Sequence, residues 1–219
     1  MFFFIKNQIN LIYSYYMQSK INQAIKYIIE EKLVAVPTDT YFALSANGLS
    51  PKAIEKIYYA KGRDYSSPIP LLISSQDMAK DISKNLSDLF FKLTEKFWPG
   101  PLTVVVDANE NIPKIVKSKS KKVGIRIPSH KVCLQVIKET NLPISGTSCN
   151  ISGMEPSKNY NFIKKNYSKL VDFVLEEPCG IETAPSTVVE INNNSIKILR
   201  LGAIKKEAIN KHLPEILIN

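Results

Sequence analysis

Apolar residues recur along the chain at two spacings, one helical and one extended. In SKINQAIKYIIEEKL (19–33), Ile21, Ile25 and Ile28 fall three or four apart, which places them on one face of a helix. LVAVP (33–37) is apolar up to its closing proline, as a buried strand is. Ser50 and Pro51 open a second helix, the serine as N-cap and the proline in a first turn that needs no N–H from it. The apolar face of that helix is Ala53, Ile54, Ile57 and Tyr58. Leu86, Leu89, Phe90, Leu93 and Phe97 mark a helix ending before WPGP, HKVCLQVIKE (130–139) marks another, and IKKEAINKHL (204–213) closes the chain. Strand-like runs are IPLLIS (69–74), LTVVV (102–106), VGIRIP (123–128), LPIS (142–145), DFVLE (172–176), STVVEI (186–191) and IKILRLG (196–202). The last two flank the turn NNNS and read as a hairpin. Strands and helices mix without strict alternation, and no repeat or linker divides them. The pattern therefore predicts one α/β domain built on a mixed sheet.

The N-terminal MFFFIKNQINLIYSYYMQSK is apolar in patches, broken by Lys6, Asn7, Gln8 and Asn10. The run is too short to span a bilayer and has no small-residue cleavage site, so no membrane role is expected. Residues 1–16 read as a loose extension, with Met17 as the natural start and 17–219 as the domain.

Length and composition narrow the chemistry. A chain of 219 residues with 44% hydrophobic content can bury a substantial core. The net charge of +9 suits a polyanion such as a nucleotide or RNA, although spread-out lysines also describe a solvated surface. The one dense run is KSKSKK (117–122). Cys133, Cys149 and Cys179 form no C-x-x-C pair, and His130 and His212 are the two histidines. That excludes a disulfide framework and a Cys/His metal site, and suits a reducing cytoplasm.

Polar clusters fall where strands end, as ligand-holding loops do in α/β proteins. They are PTDT (37–40), KGRDYSSP (61–68), WPGPLT (98–103), RIPSH (126–130), GTSCNISG (146–153) and APST (184–187). Neither a P-loop nor a dinucleotide-binding glycine fingerprint is present. GTSCN has Asn150 where a nucleophile elbow needs glycine, which leaves a Ser148–His130 triad or a Cys149 nucleophile as weak alternatives. Taken one at a time, PTDT could be a turn, Lys61 and Arg63 a helix terminus, and Arg126 a paired strand residue.

Their order is more specific. PTDT, KGR, WPGPLT, VGIRIP, S-x-N-x-SG, PSTVV and LRLGAI together resemble the YrdC/Sua5 family from about Met17 to Leu213. The resemblance implies a twisted mixed sheet flanked by helices around a basic cavity, in the short single-domain bacterial form. It implies an L-threonylcarbamoyladenylate synthase that joins L-threonine, bicarbonate and ATP, with Mg²⁺ accompanying the ATP, and releases pyrophosphate. The product would pass to a threonylcarbamoyl-transferase complex that modifies tRNA (t6A), and tRNA or double-stranded RNA could bind directly. Carried over by motif, Lys61 and Arg63 would meet the phosphates and act catalytically. Ser148, Asn150, Ser157 and Arg200 would hold ATP, and Thr40, Arg126 and Ser186 would hold threonine. Arg126 offers the planar fork that suits a carboxylate. PTDTYFALS puts Ala43 and Ser45 where the family has glycines, SCN replaces SAN, RLG replaces RPG, and Leu72 stands where some relatives place a polar threonine contact. The main rival is a non-catalytic module of the same family that binds RNA or nucleotides. Further rivals are a carbamoyl-transfer domain and a Ser148 hydrolase.

Overall fold

The computed structural model describes residues 2–117 and 119–219, with side chains from residue 11 onward. The chain runs α1 (Phe2–Ile29), β1 (Val34–Val36), β2 (Ala43–Ser45), α2 (Pro51–Lys61), β3 (Leu71–Leu72), α3 (Gln76–Ile82) and α4 (Asp88–Phe97). Then come β4 (Leu102–Asp107), β5 (Lys122–Arg126), α5 (Lys131–Thr140), β6 (Ile144–Ser145), β7 (Thr147–Ser148) and α6 (Tyr160–Tyr167). Last are β8 (Phe173–Val174), β9 (Thr187–Asn192), β10 (Ser195–Arg200), α7 (Lys206–His212) and β11 (Leu217–Ile218).

The mixed α/β expectation holds, but hydrogen bonding divides the strands into two sheets. A four-stranded sheet has the order β7-β2-β1-β8, and a seven-stranded sheet the order β11-β10-β9-β4-β5-β3-β6. Parallel pairs (β4/β9, β3/β5, β10/β11) alternate with antiparallel ones in the large sheet, and the small sheet has one parallel pair, β1/β8. The sheets meet where β6 ends and β7 begins. Ser145 Oγ donates to the Leu44 carbonyl at 3.0 Å, and Ser45 Oγ donates to the Ser145 carbonyl at 3.0 Å. Gly146 turns the chain from one sheet into the other; a Cβ there would lie 2.7 Å from Leu72 Cγ. The β9–β10 hairpin forms as expected, with Asn192 opposite Ser195, and a register shift interrupts it between Ile198 and Arg200.

One apolar core packs α2 and α4 onto the large sheet; a second lies under α1 and α5. Ser50 caps α2 through the Ala53 N–H, as its position before Pro51 predicted. The segment read as an extension lies within α1. Residues 2–16 contain neither glycine nor proline, so nothing stops α1 from running on to Ile29 as one helix. Met17, Ile21, Ala24 and Ile28 form its buried stripe, whereas residues 11–16 are exposed and touch the domain through polar tips. Tyr13 Oη donates to Glu177 at 3.0 Å and Tyr16 Oη to Glu176 at 3.2 Å. A chain starting at Met17 is therefore expected to fold and to lose no more than about 2 kcal/mol, the worth of two exposed hydrogen bonds. Urea unfolding monitored by circular dichroism measures this; a larger loss would place the first half of α1 in the folding core.

Candidate active site

A cavity of about 620 Å³ opens along the seam between the two sheets. Seven of the nine residues picked out in the sequence line it: Thr40, Arg63, Arg126, Ser148, Asn150, Ser186 and Arg200. Residues up to 160 positions apart in the chain thus converge because PTDT, the 146–150 corner, β5 and the β9–β10 hairpin all end at that seam. Lys61 and Ser157 do not line it.

Arg126 ends β5 and is 6% exposed; Asp39 of the PTDT segment is 5% exposed. Their ion pair closes to 2.5 Å between Nη2 and Oδ1. Arg126 Nε donates to the Gly100 carbonyl at 2.9 Å, and Nη1 to Thr40 Oγ1 at 3.4 Å. The Ser129 N–H donates to Asp39 Oδ1 at 3.2 Å. Arg126 is thus a paired strand residue that also forms part of the cavity wall. One arm already carries an internal carboxylate, and Nη1 lies beside Thr40. Arg126 Nη2 and Asp39 Oδ2 make no directed hydrogen bond within the chain, so the pair is electrostatic rather than bidentate.

Arg200 is brought to the cavity by the register shift in β10, a place where bulges commonly re-aim side chains. Its Nη2 donates to the Ser186 carbonyl at 2.7 Å and to Ser186 Oγ at 3.1 Å. Ser186 Oγ also shares a hydrogen bond with Thr103 Oγ1 at 3.0 Å. Arg63 is steadied by its own loop, through the Ser67 and Pro68 carbonyls at 3.1 and 3.2 Å. Desolvation, then the like charges of Arg126 and Arg63, lower the pKa of Arg200. Arg63, Lys122, Arg126 and Arg200 line the cavity against one acid, Glu190, which pairs with Lys122 at 2.6 Å. Like charges gathered this way are stabilised by an anion.

The GTSCNISG segment is a turn built around the Asn150 amide. Ser148 Oγ donates to Asn150 Oδ1 at 2.5 Å, and Asn150 Nδ2 donates to the Ile151 carbonyl at 3.1 Å and to the Met154 carbonyl. Lys61 departs from expectation. It is 2% exposed, and its ammonium donates to the Ser148 carbonyl at 2.5 Å, the Asn150 carbonyl at 2.7 Å and Asn150 Oδ1 at 3.1 Å. An ammonium has three protons, and three protein acceptors take them. Ser157 departs too: its hydroxyl accepts from the Asn159 N–H at 3.1 Å and its carbonyl from the Phe42 N–H at 3.2 Å. Its neighbour Pro156 lines the cavity instead.

The nucleophile alternatives fail on geometry. His130 caps α5, accepting from the Cys133 N–H at 3.3 Å, and its Nε2 lies 2.8 Å from the Pro178 carbonyl. Ser148 has Asn150 rather than histidine beside it. Burial pushes the Cys149 thiol up to about 12, with the Lys61 charge opposing only in part. Among the described residues no three His, Cys, Asp or Glu side chains converge on a metal position. Sequence reading passed over Asp39 and Thr103, although both sit inside quoted blocks. Of the substituted positions, Ser45 is absorbed as a tie between the sheets, and Ala43 and Leu72 line the cavity.

A sequence profile named for Sua5, YciO and YrdC, and described as telomere recombination, matches residues 26–202. The chain belongs to the Sua5/YciO/YrdC family. It is 32% identical over 203 residues to the threonylcarbamoyl-AMP synthase of Pyrococcus abyssi, covering 91% of this chain and 59% of that protein. It is 34% identical over 180 residues to a putative threonylcarbamoyl-AMP synthase of Methanocaldococcus jannaschii, covering 82% and 84%. The Bacillus subtilis threonylcarbamoyl-AMP synthase is 32% identical, with 87% of this chain and 55% of that one covered. The chain thus spans little more than half the length of the first and third of these Sua5/YciO/YrdC relatives. The crystal structure of P. abyssi Sua5 complexed with L-threonine superposes with a TM-score of 0.86 at 31% identity, over 91% of this chain and 58% of that one. Escherichia coli YciO shares the fold, with a TM-score of 0.79 at 22% identity. Among the described residues of this family member, no helix is long and apolar enough to cross a membrane.

The ion pair gives a stability prediction. Asp39→Ala leaves a buried guanidinium without its carboxylate and is expected to cost about 3–5 kcal/mol in urea unfolding. A loss under about 1 kcal/mol would mean that solvent, not Asp39, compensates Arg126.

Proposed function

We propose that this chain is a threonylcarbamoyl-AMP synthase, forming threonylcarbamoyl-AMP and pyrophosphate from L-threonine, bicarbonate and ATP. The observation that carries the reading is the convergence of Arg63, Arg126 and Arg200 on one cavity beside the Ser148–Asn150 turn. That relatives carry the synthase name, and that one was crystallised with L-threonine, supports it. A volume of about 620 Å³ falls in the usual range for small-molecule sites.

In this reading Arg126 Nη1 and Thr40 hold the threonine carboxylate, with Ser186 and Thr103 alongside. Arg63, Arg200 and the Ser148–Asn150 turn hold the nucleotide. The threonine amine adds to bicarbonate with loss of water, giving a carbamate that is labile in bulk water and protected in a closed site. A carbamate oxygen bonds to the α-phosphorus as the bond to pyrophosphate breaks. The nucleophile is already anionic, so no side-chain base is required, and the guanidiniums offset the charge that builds up on the phosphates. Among the described residues no cluster of carboxylates gathers for a divalent ion; in this reading Mg²⁺ enters with ATP as part of the substrate, held by phosphate oxygens. The product then passes to a threonylcarbamoyl-transferase acting on tRNA. Three cysteines outside any disulfide suit a reducing cytoplasm.

Pyrophosphate release from ATP is expected only when threonine and bicarbonate are both present. ADP and phosphate as products would sink the reading, and ATP binding without turnover would favour the non-catalytic module. Arg126→Lys replaces a planar fork with a point charge. One charge-assisted hydrogen bond is lost, so the threonine needed for half-maximal rate should rise about tenfold or more while the ATP requirement stays put.

A further inference from the structure

We propose that Lys61 is a positioning residue that holds the Ser148–Asn150 turn in its anion-receiving form from behind, without itself touching the bound phosphates.

Lys61 grips the turn at both ends of its own residue. Its ammonium bonds the Ser148 and Asn150 carbonyls and Asn150 Oδ1, while its main-chain carbonyl accepts from the Ser152 N–H at 2.9 Å. It is the last residue of α2, and Gly62 caps the helix in the left-handed conformation at φ 56°, so the helix end is fixed as the other half of the staple. The opposite side of the turn is pinned by the Cys149 N–H on the Phe42 carbonyl at 2.7 Å.

The arrangement answers an electrostatic problem. Ser148 and Asn150 line a cavity that gathers cations, and their carbonyl oxygens carry negative partial charge that would repel an anion there. The ammonium draws both carbonyls to its own side. It also takes up one lone pair of Asn150 Oδ1, which fixes which way the amide faces and so where the Ser148 hydroxyl points. An arginine's planar fork would not meet three acceptors converging on one point as an ammonium does. The groups facing this ammonium are Arg63, whose charge disfavours its proton, and the buried Cys149 thiol. Burial first, then Arg63, bring the Lys61 pKa down to about 8, so the ammonium is held at neutral pH and lost above that.

The test begins with hydrogen exchange in the ligand-free protein, a readout independent of the proposed activity. In Lys61→Met the Ser148 and Asn150 carbonyls lose their charged donor, so the Cys149 and Ser152 amides of the loosened turn should exchange about tenfold faster or more, while the amides of β4 keep their rates. In Lys61→Ala, ammonium chloride should restore slow exchange at those amides where choline chloride at equal concentration does not. If the synthase reading holds, the ATP requirement should recover along with it; restored exchange without any turnover would count against that reading and not against this role. Unchanged exchange in Lys61→Met together with a raised ATP requirement would show direct phosphate contact and overturn the proposal. Uniformly faster exchange would reduce Lys61 to general scaffold and overturn it as well.

If neither variant folds, the wild type decides by its pH dependence. Because the folded-state pKa lies below the unfolded 10.5, this group's contribution to global stability rises, not falls, as pH climbs from 8 towards 10.5. Protection at Cys149 and Ser152, corrected for intrinsic rate, should nevertheless drop above pH 8 relative to β4. Constant relative protection through that window would sink the proposal.

Discussion

A charge buried without a partner costs several kcal/mol, and the site here is organised around the buried Arg126 guanidinium and the acid that offsets it. Arg126 belongs to the large sheet and Asp39 to the loop joining β1 and β2 of the small one, so their ion pair is also a clamp across the seam. The clamp extends outward on the Asp39 side. The Gly180 N–H donates to the Thr38 carbonyl at 2.9 Å, and a Cβ on Gly180 would lie 2.7 Å from Asp39 Cα. Only a glycine lets the 178–182 backbone press this closely on PTDT. Thr38 then fixes the far side, with its hydroxyl donating to the Tyr41 carbonyl at 2.7 Å and accepting from the Thr40 N–H at 3.1 Å. What places Thr40 beside Arg126 is thus the electrostatics of one pair together with close backbone packing.

Function at a seam explains why local irregularities gather there. Regular ladders keep side chains at fixed intervals on fixed faces, and a cavity that must aim separate groups at one space needs exceptions. The register shift in β10 delivers Arg200, the glycine at 146 lets β6 hand over to β7 past Leu72, and α2 ends at Gly62 so that Lys61 and Arg63 diverge. Lys61 goes behind the turn; Arg63 goes into the cavity.

The larger elements were legible because they are long enough to show a period: α2, α4, α5, β4, β5 and the β9–β10 hairpin all follow their apolar spacing. β7 and β11 are two residues each, and β2 is three, too short for alternation to register. α3 and α6 are seven and eight residues, capped by Ser75 and Asn159, but their few apolar positions make no stripe long enough to read. At the site, residue types revealed membership and not direction. Lys61 and Arg63 are alike in sequence, both cations at a helix end, and what separates them is which acceptors lie within reach: Arg63 bonds carbonyls of its own loop, Ser67 and Pro68. Three carbonyl-type oxygens, 87 and 89 positions away, decide that for Lys61. Asp39 was hidden for the same reason: in PTDT it reads as a turn residue, and its partner is 87 positions downstream.

The chemistry proposed for the cavity fits what it lacks as well as what it holds. A neutral nucleophile such as a hydroxyl needs a base, and here His130 is spent on a helix cap and the buried thiols are held protonated. A carbamate needs no base; its obstacle is repulsion from the triphosphate it attacks. Two unit charges of like sign at 4 Å repel by about 4 kcal/mol at an effective dielectric constant near 20. Several such contacts arise between a carbamate and three phosphates, which makes repulsion rather than proton transfer the barrier the protein must lower. Guanidiniums suit that task better than a titrating group would, because desolvation and mutual repulsion that would neutralise a lysine leave an arginine charged. Lys61, the lysine of the motif, lies outside the cavity with all three protons on protein acceptors, so on the proposed chemistry the division of labour between it and the three arginines follows from the proton affinities of the two side chains.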